Sequence, residues 1–341
     1  MAPARLATVE DLAVLTPSFR GDARLFADLH ESVLTHTPPS VVHHVVVPPS
    51  DARLFRQYEG PRCRVLTHRE LLPRRFLSVP HASGLTLNAR RPWPPVRGWV
   101  TQQLMKLAGT AALDARAVVL IDSDAVLLRD LTLDDLCVDG QPWYFRRDDA
   151  VTAGMARHLT WDRVARRLLG VPGAAPVPAA DYVSPITVWD PDVVRALTCH
   201  IAKSAGRDWI DAVAGELHVS EFVLYGIFAD HVHGALAPYS RPLCHNYYER
   251  VPLTPVGGHA FADGMPRDAL GAMISSHSRT PRDVRLDAFR RCAEGVAGRS
   301  RQAFDPSPRA PRARLPFADN RCWDAAALLI QVLPIVSAGC V

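Results

Sequence analysis

The sequence has few of the features that mark disulfide-bonded, zinc-binding or secreted proteins. Its seven cysteines are far apart and form no CxxC pair, which excludes a zinc ribbon, a redox CxxC motif and a disulfide scaffold. Residues 1–11 contain charges but no apolar segment of the kind that a secretory signal needs. We therefore expect a protein of the reducing cytoplasm.

The sequence also lacks a strong excess of charge. It has 39 Lys and Arg against 35 Asp and Glu, a formal net charge of +4, which does not predict a nucleic-acid-binding face. Lysine is scarce, because Lys106 and Lys203 are the only two and the other 37 basic residues are arginine. With 341 residues, 48% apolar and 22% charged, the chain is typical of one large or two small globular domains.

Short apolar runs alternate with helical patterns along the first third of the chain. The runs that predict strands are 12–16, 41–47, 64–66 and 117–121, and the helical patterns are 22–36, 53–59 and 99–113. Alternation of this kind is typical of parallel strands that are covered by helices. The sequence thus predicts an α/β fold with an open, mostly parallel twisted sheet and helices on both faces.

The rest of the chain is more mixed and ends in a segment of a different kind. Strands are predicted at 143–146 and 182–189, and helices at 160–169, from Pro191, at 220–228 and at 282–296. Residues 299–321 are rich in Arg and Pro, which predicts a linker. Residues 325–341 are almost wholly apolar but short for a membrane span. We expect this tail to dock on the domain as a helix, with membrane contact as the alternative.

The segment VVLIDSDAVLL, at residues 118–128, carries the most chemical information. An apolar strand ends in Asp122-Ser123-Asp124, and ligands of open α/β sheets bind at the carboxyl ends of the strands. Two carboxylates one residue apart suit a hard cation such as Mg²⁺ or Mn²⁺, whose remaining ligands are phosphate oxygens and water. A nucleoside diphosphate is the natural ligand of such a site.

Several segments, in the same order along the chain, resemble the GT-A superfamily of nucleotide-sugar glycosyltransferases, closest to poorly characterised bacterial members. The resemblance covers about residues 10–290 and lies in LAVLTPSFR (12–20), WVTQQLMKL (99–107), the DSD segment, YVSPITVWD (182–190) and SEFVLYG (220–226). It implies a Rossmann-like GT-A fold and a catalytic domain at 1–298. The nucleotide-sugar half would be 1–130 and the acceptor half 131–298, with 299–341 as linker and tail.

The resemblance also implies which residues meet each ligand. The divalent cation, Mn²⁺ or Mg²⁺, would be held by Asp122, Asp124 and His277. The nucleotide-sugar donor would contact Thr16, Pro17, Ser18, Arg20, Gln103, Lys106, Asp122, Ser123 and Asp124. The acceptor would contact Tyr182, Trp189 and Tyr225, and Glu221 or Asp181 would engage its hydroxyl group.

The role of Glu221 stays open at this stage. Ser220 is a good helix N-cap, and a Glu in the first helical turn is favourable to the helix dipole without any catalytic role. The order of the motifs is that of retaining members of the superfamily, whereas a positioned Glu is also what an inverting enzyme needs. Asp181 is the competing carboxylate.

Two other functions are compatible with parts of the sequence. A sugar-phosphate nucleotidyltransferase shares the nucleotide-binding core, but it needs a Gly-rich loop after the first strand, where this chain has only Gly21. A non-catalytic binding protein on the same fold is the other alternative, and the intact Asp122, Asp124 and Glu221 argue against it. The leading prediction is a metal-dependent glycosyltransferase.

Overall fold

The computed structural model describes residues 6–79 and 85–297, so the predicted linker and tail at 299–341 lie outside the described residues. The strands are β1 Leu6–Pro17, β2 Val42–Val47, β3 Cys63–Thr67, β4 Phe76–Ser78, β5 Thr86–Asn88, β6 Arg91–Val96, β7 Leu113–Ile121, β8 Ala125–Leu127, β9 Cys137–Val138, β10 Gln141–Pro142, β11 Tyr144–Phe145, β12 Arg147–Val151, β13 Ala179–Asp181, β14 Ile186–Trp189, β15 Pro238–Tyr239, β16 Cys244–Tyr247 and β17 Gly271–Ile274. The helices are α1 Ala23–His36, α2 Ala52–Phe55, α3 His68–Leu71, α4 Gly98–Ala112, α5 Ala156–Leu169, α6 Pro191–Ala205, α7 Trp209–Ala214, α8 Glu221–Phe228, α9 Pro255–Asp263 and α10 Arg282–Ala297.

A five-stranded sheet in the order β14-β7-β1-β2-β3 forms the centre of the fold. Strands β7, β1, β2 and β3 are parallel, and β14 pairs antiparallel with β7 at one edge. The strands that follow β1 in sequence continue to one side of it, whereas β7 lies on its other side. The strand order therefore reverses between β1 and β7, which is where open α/β sheets bind ligands.

Helices cover both faces of this sheet because its central strands are apolar on both sides. In β1, Leu12 and Val14 pack with Leu29 of α1, whereas Ala13 and Leu15 face the opposite core. That second core contains the buried residues of α4, α6 and α8. The period of two along β1 thus places two different cores on the two faces.

Helix ends follow the signals in the sequence. Helix α6 begins where the Asp190 side chain accepts hydrogen bonds from the backbone N–H groups of Asp192 and Val193, with Pro191 in its first turn. It ends at Gly206, which has a φ of 63° and so adopts the left-handed conformation that glycine tolerates. Helix α8 begins at Ser220, whose hydroxyl accepts from the backbone N–H of Val223.

A second sheet, in the order β16-β17-β8, extends the end of β7 beyond the two aspartates. Strand β8 begins one residue after Asp124 and pairs antiparallel with β17. The backbones approach closely at Gly271, where a Cβ atom would lie 2.3 Å from the Val126 carbonyl oxygen. Only glycine therefore fits this position without a shift of the strand pair.

The predicted α/β class and most of its elements are confirmed. The strand predicted at 182–189 is shorter, because only Ile186–Trp189 pairs with β7 and the preceding residues form a loop. The helix predicted at 53–59 is a short α-helix followed by a 3₁₀ turn at Arg56–Tyr58. Among residues 6–79 and 85–297, no helix combines the length and apolar character needed to cross a membrane.

Replacement of Gly271 should disrupt the pairing of β17 with β8. We expect Gly271→Ala to lower the free energy of unfolding by about 1–3 kcal/mol, because the new methyl group would overlap a backbone oxygen that cannot rotate away. Gly60→Ala is the matched control, since no atom lies within 4 Å of the Cβ it would add. Urea unfolding of both variants measures the difference, and equal stabilities would contradict this account of the strand contact.

Candidate functional site

The candidate site lies where the carboxyl ends of β1 and β7 meet, at the reversal of strand order. Ser123, between the two aspartates, is buried and donates its hydroxyl to the Pro17 carbonyl oxygen at 3.1 Å. Its hydroxyl oxygen also lies 3.2 Å from that of Ser18. The loop after β1 and the DSD turn are thus joined directly through Pro17, Ser18 and Ser123.

The backbone around the two aspartates is fixed by hydrogen bonds from three directions. The Asp122 N–H donates to the Pro185 carbonyl at 3.1 Å, and the Asp124 side chain accepts from the Ser276 N–H at 2.7 Å. Arg285 of α10, which is buried, donates to the Asp124 carbonyl oxygen at 3.1 Å. The DSD turn is therefore held by elements far apart in sequence, and its orientation is set before any ligand binds.

Lys106 forms the centre of a buried charge network. Its Nζ lies 2.7 Å from Asp122 Oδ1 and 2.8 Å from Glu221 Oε1, and the side chain is 3% exposed. Nζ also lies 4.3 Å from the centroid of the Phe222 ring, a cation–π contact. One ammonium group thus connects α4, the end of β7 and the start of α8.

The pKa values of this network follow from burial and pairing. Burial alone would lower the pKa of Lys106, but the adjacent carboxylates of Asp122 and Glu221 raise it above its ordinary value. Burial raises the pKa of Glu221 above its ordinary value, although Lys106 acts to lower it. The ammonium therefore remains charged, and it is the main group that stabilises a carboxylate on Glu221.

A third carboxylate, Asp22, lies close enough to the pair to interact electrostatically with both aspartates. Burial, together with Asp124 and Asp122, raises the pKa of Asp22 to about 7, while Arg285 lowers it. Burial and Asp122 also raise the pKa of Asp124. Crowded carboxylates of this kind favour either protonation or a bound cation.

The carboxylate oxygens at this site fit a hard divalent cation that takes only part of its ligands from the protein. Carboxylate oxygens are the ligands that Mg²⁺ and Mn²⁺ prefer, and Asp122 and Asp124 each have one oxygen outside the contacts described above. Within 6–79 and 85–297, no three His, Cys, Asp or Glu side chains are grouped so as to hold a metal ion. The predicted three-ligand set with His277 is therefore not assembled, although the neighbouring Ser276 contacts Asp124.

The other residues predicted to meet the nucleotide are largely engaged within the protein. The Thr16 hydroxyl lies 2.9 Å from His43 Nε2, and His43 Nδ1 lies 3.0 Å from His30 Nδ1, all three residues being buried. Arg20 is paired with Asp51 at 3.1 Å but remains largely exposed. Of these residues, Arg20 is the one placed to meet a phosphate from solvent.

Gln103 and Lys106, which were predicted to contact the donor, are both buried. Gln103 is buried, donates to the Trp99 carbonyl at 3.1 Å and accepts from the Glu221 N–H at 3.5 Å. Lys106 has its contacts on Asp122 and Glu221 instead of an open surface. The reason is that α8 packs on α4 and covers both side chains, which the sequence of α4 alone does not indicate.

Two of the predicted acceptor contacts are core residues. Trp189 and Tyr225 are fully buried, with stacked rings whose centroids lie 4.8 Å apart, and the Tyr225 hydroxyl accepts from the Asp190 N–H at 3.2 Å. Helix α8 packs both rings against the sheet, and their contact with an acceptor stays a prediction. Glu221 is likewise fully buried and contacts Lys106, so it does not present a base to solvent.

Tyr182 is also buried, whereas Asp181 is half-buried. The Tyr182 hydroxyl donates to Asp230 at 2.6 Å, and Asp230 also accepts from Tyr144 and pairs with Arg146 at 3.3 Å. Asp181 is half-buried, and one of its oxygens accepts from the Val183 N–H at 3.1 Å. Asp181 is thus a carboxylate beside the site that solvent reaches.

Sequence reasoning did not identify Asp22, Arg285 or Asp230. Asp22 lies five residues after the end of β1, at the same sheet edge as Asp122, and this position was the available signal. Arg285 and Asp230 lie on helical segments far along the chain, and no local pattern places them next to the aspartates or tyrosines that they contact.

Comparisons with known proteins give a family and a set of similar folds. A family model described as "Family of unknown function (DUF6492)" matches residues 13–247. No curated protein matches the sequence. Among solved structures, mouse xyloside xylosyltransferase 1 in its apo form is similar at a TM-score of 0.43 and 10% identity, over 80% of this chain and 100% of that one.

Two further similar structures are of LgtC. One is an active-site mutant, with a TM-score of 0.38 and 13% identity. The other is galactosyltransferase LgtC in complex with donor and acceptor sugar analogues, with a TM-score of 0.41 and 14% identity. Each comparison covers 84% of this chain and 95% of the other chain.

The buried network should show strong coupling between Lys106 and Glu221. Glu221→Gln leaves the buried ammonium with one counterion and should lower the free energy of unfolding by about 3–5 kcal/mol. The double variant Lys106→Met/Glu221→Gln should lose less than the sum of the two single variants, because the fully buried Glu221 carboxylate is removed together with its ammonium partner and only the partly exposed Asp122 loses its cation. Denaturant unfolding of the four proteins measures this coupling.

The control is the exposed pair of Arg290 and Glu294 on α10. Glu294→Gln should change the free energy of unfolding by at most about 1 kcal/mol, as for other surface ion pairs. Additive effects of the Lys106 and Glu221 substitutions would contradict the network as described.

The raised pKa of Asp22 predicts a pH dependence. The folded protein holds a proton on Asp22 up to about pH 7, whereas the unfolded chain releases it near the ordinary value of 3.8. The stability contributed by this group therefore falls as pH rises from about 4 to about 7. The stability of Asp22→Asn relative to wild type should therefore increase as pH rises from about 4 to about 7 and stay constant above pH 7. Urea unfolding in EDTA measures this difference. A constant difference between the two proteins would exclude the raised pKa.

Proposed function

The chain belongs to DUF6492, a family of unknown function, and from its site we propose that it is a glycosyltransferase that requires a divalent cation. It would move a sugar from a nucleoside-diphosphate sugar to an acceptor hydroxyl group. The observation that carries this proposal is the carboxylate pair Asp122 and Asp124 at the reversal of strand order, where buried Lys106 contacts the Asp122 side chain and buried Arg285 the Asp124 backbone. The resemblance of five sequence segments to nucleotide-sugar transferases supports the sugar-transfer chemistry.

Asp122 and Asp124 would hold the cation through the oxygens that Lys106 and Ser276 do not contact. When bound, Mg²⁺ or Mn²⁺ supplies a Lewis acid for the diphosphate and offsets charge on the leaving group. Asp22 would lie beside this cation and ionise in its presence, because a positive charge lowers the pKa of a neighbouring carboxyl group. The diphosphate would supply the remaining anionic oxygens.

Lys106 and Glu221 act as positioning residues in this proposal. Lys106 fixes one oxygen of Asp122 at 2.7 Å, and Glu221 keeps the ammonium in place at 2.8 Å from the other side. The Asp122 side chain is 28% exposed, and its second oxygen lies outside this contact. Because catalysis depends on groups held in place before the reaction, loss of this support should weaken donor binding as well as the rate.

On the acceptor side, we assign Asp181 the contact with the acceptor hydroxyl. Asp181 is half-buried and lies near the aspartate pair, since Tyr248 interacts electrostatically with Asp181 and with both Asp122 and Asp124. Tyr182, held by Asp230 at 2.6 Å, would form the adjacent wall. A general base in this position contributes about 10²–10⁴-fold to the rate.

Binding of nucleoside diphosphates tests the proposal. In the presence of Mn²⁺, Asp124→Asn should weaken diphosphate binding at least about tenfold, because a charged ligand of the cation is lost. EDTA should weaken binding to wild type by the same factor. Isothermal titration measures both. Asp263→Asn, an exposed carboxylate on α9, is the control and should bind as wild type does.

Product analysis separates the two enzyme classes. Incubation with a panel of nucleotide sugars and Mn²⁺ should release free nucleoside diphosphate, whereas a nucleotidyltransferase would consume or form pyrophosphate. Folded Asp124→Asn that binds nucleoside diphosphate as tightly as wild type, with no dependence on the cation, would refute the metal site.

A further inference from the structure

A second cavity, distinct from the carboxylate site, lies between the β5–β6 hairpin and α7. Its volume is about 430 Å³, within the range of sites that hold small molecules. Its charged lining comprises Arg90, Arg91, Arg97, Arg207, Asp211 and Glu216. Four guanidinium groups therefore face a single small cavity together with two carboxylates.

The two carboxylates are already neutralised by hydrogen bonds and ion pairs. Asp211 is 12% exposed and accepts from Arg75 at 3.0 Å, Asn88 at 2.9 Å and Arg90 at 3.0 Å. Glu216 pairs with Arg167 at 2.7 Å. Glu216 pairs with an arginine outside the lining, and Asp211 offsets only Arg90 among the four arginines of the lining. Within the described lining, Arg91, Arg97 and Arg207 have no acidic partner.

The arginines of the lining retain most of their donors. Among the residues that the structure describes, the guanidinium groups of Arg97 and Arg207 make no hydrogen bond or ion pair, and that of Arg91 reaches only the Gly215 carbonyl at 3.5 Å. Arg90 contacts Asp211 through one nitrogen and is 67% exposed. Converging like charges are unfavourable unless an anion offsets them.

Arginine is abundant in this chain, so the number of arginines alone would mean little. The position of the arginines is the stronger evidence. Asp211 binds both Arg75 and Arg90, and so it fixes the guanidinium group of Arg90 at the rim of the cavity. A planar guanidinium held in this way presents paired N–H donors, which match the oxygens of a phosphate or a carboxylate.

The cavity adjoins the elements that form the proposed active site. Arg97 directly precedes α4, so Gln103 and Lys106 lie roughly 9 and 14 Å further along the helix axis, at a rise of 1.5 Å per residue. Leu217, on the opposite wall, is four residues before Glu221. Trp99 Nε1 donates to the Val219 carbonyl at 3.0 Å and joins the two walls.

We propose that this arginine-lined cavity binds a negatively charged group, a phosphate or a carboxylate, carried by the acceptor substrate. The assignment to an acceptor rests on the proposed function, whereas the anion site itself rests on the arginines. Trp93, on the same hairpin, is 80% exposed and offers an apolar face beside the cavity for the rest of such a molecule.

Titration of the full chain with charged and neutral sugars tests the site. In EDTA, which removes the cation that the proposed donor site needs, glucose 6-phosphate and glucuronate should bind wild type. Uncharged glucose should not bind. The double variant Arg97→Gln/Arg207→Gln should weaken binding of the charged sugars at least about tenfold, since two charge-assisted contacts are lost. Isothermal titration at fixed ionic strength is the measurement.

Arg64→Gln/Arg267→Gln is the matched control, because it removes the same charge from exposed positions elsewhere. Equal weakening in this control, or no binding of either charged sugar to wild type, would overturn the site. Inorganic phosphate that binds as tightly as glucose 6-phosphate would indicate a free-phosphate site and overturn the acceptor assignment.

Nucleoside diphosphate with Mn²⁺ should bind both double variants as tightly as wild type, which supports two separate sites. If wild type bound the charged sugars but no nucleoside diphosphate, the proposed function would fail and the anion site would stand. If wild type bound nucleoside diphosphate but no charged sugar, the anion site would fail and the proposed function would stand.

Discussion

The salt bridge from Lys106 to Asp122 and Glu221 is the contact on which the candidate site depends. An ammonium group without water is stable only beside carboxylates, and these carboxylates lie on two other elements. The end of β7, the middle of α4 and the start of α8 must therefore meet at one point. Any arrangement that separated them would leave a charge buried without a partner, so the network selects this packing over alternatives.

The sequence was informative where the signal is local. The apolar run before Asp122 predicted a buried strand with carboxylates at its end, and the structure places them at the edge of the sheet where ligands bind. The sequence did not indicate which face of a helix is covered by other elements of the fold. Trp189 and Tyr225 are equally suited to a sugar or a core, and only the packing of α8 decides between them. Sequence reasoning missed Asp22, because the carboxylates with which it interacts lie on the DSD turn, far along the chain.

Buried residues hold the DSD turn in place, whereas the residues that solvent reaches surround it. Buried cations, Lys106 on one side and Arg285 on the other, hold the two ends of the DSD turn, while Ser123 joins it to the loop after β1. The groups that solvent reaches, such as Arg20 and Asp181, lie around this support, Arg20 in the segment after β1 and Asp181 at the end of β13. Variation at such positions can then change the ligands without altering the support.

The scarcity of lysine gives the buried network a chemical signature. Lys203 lies exposed on α6, whereas the Lys106 amine has no access to solvent. An amine-reactive reagent will therefore modify Lys203 rapidly, and it will reach Lys106 only when α8 separates from α4. The ratio of the two modified lysines, read by mass spectrometry, reports how often the centre of this protein opens, with an internal reference carried by the same chain.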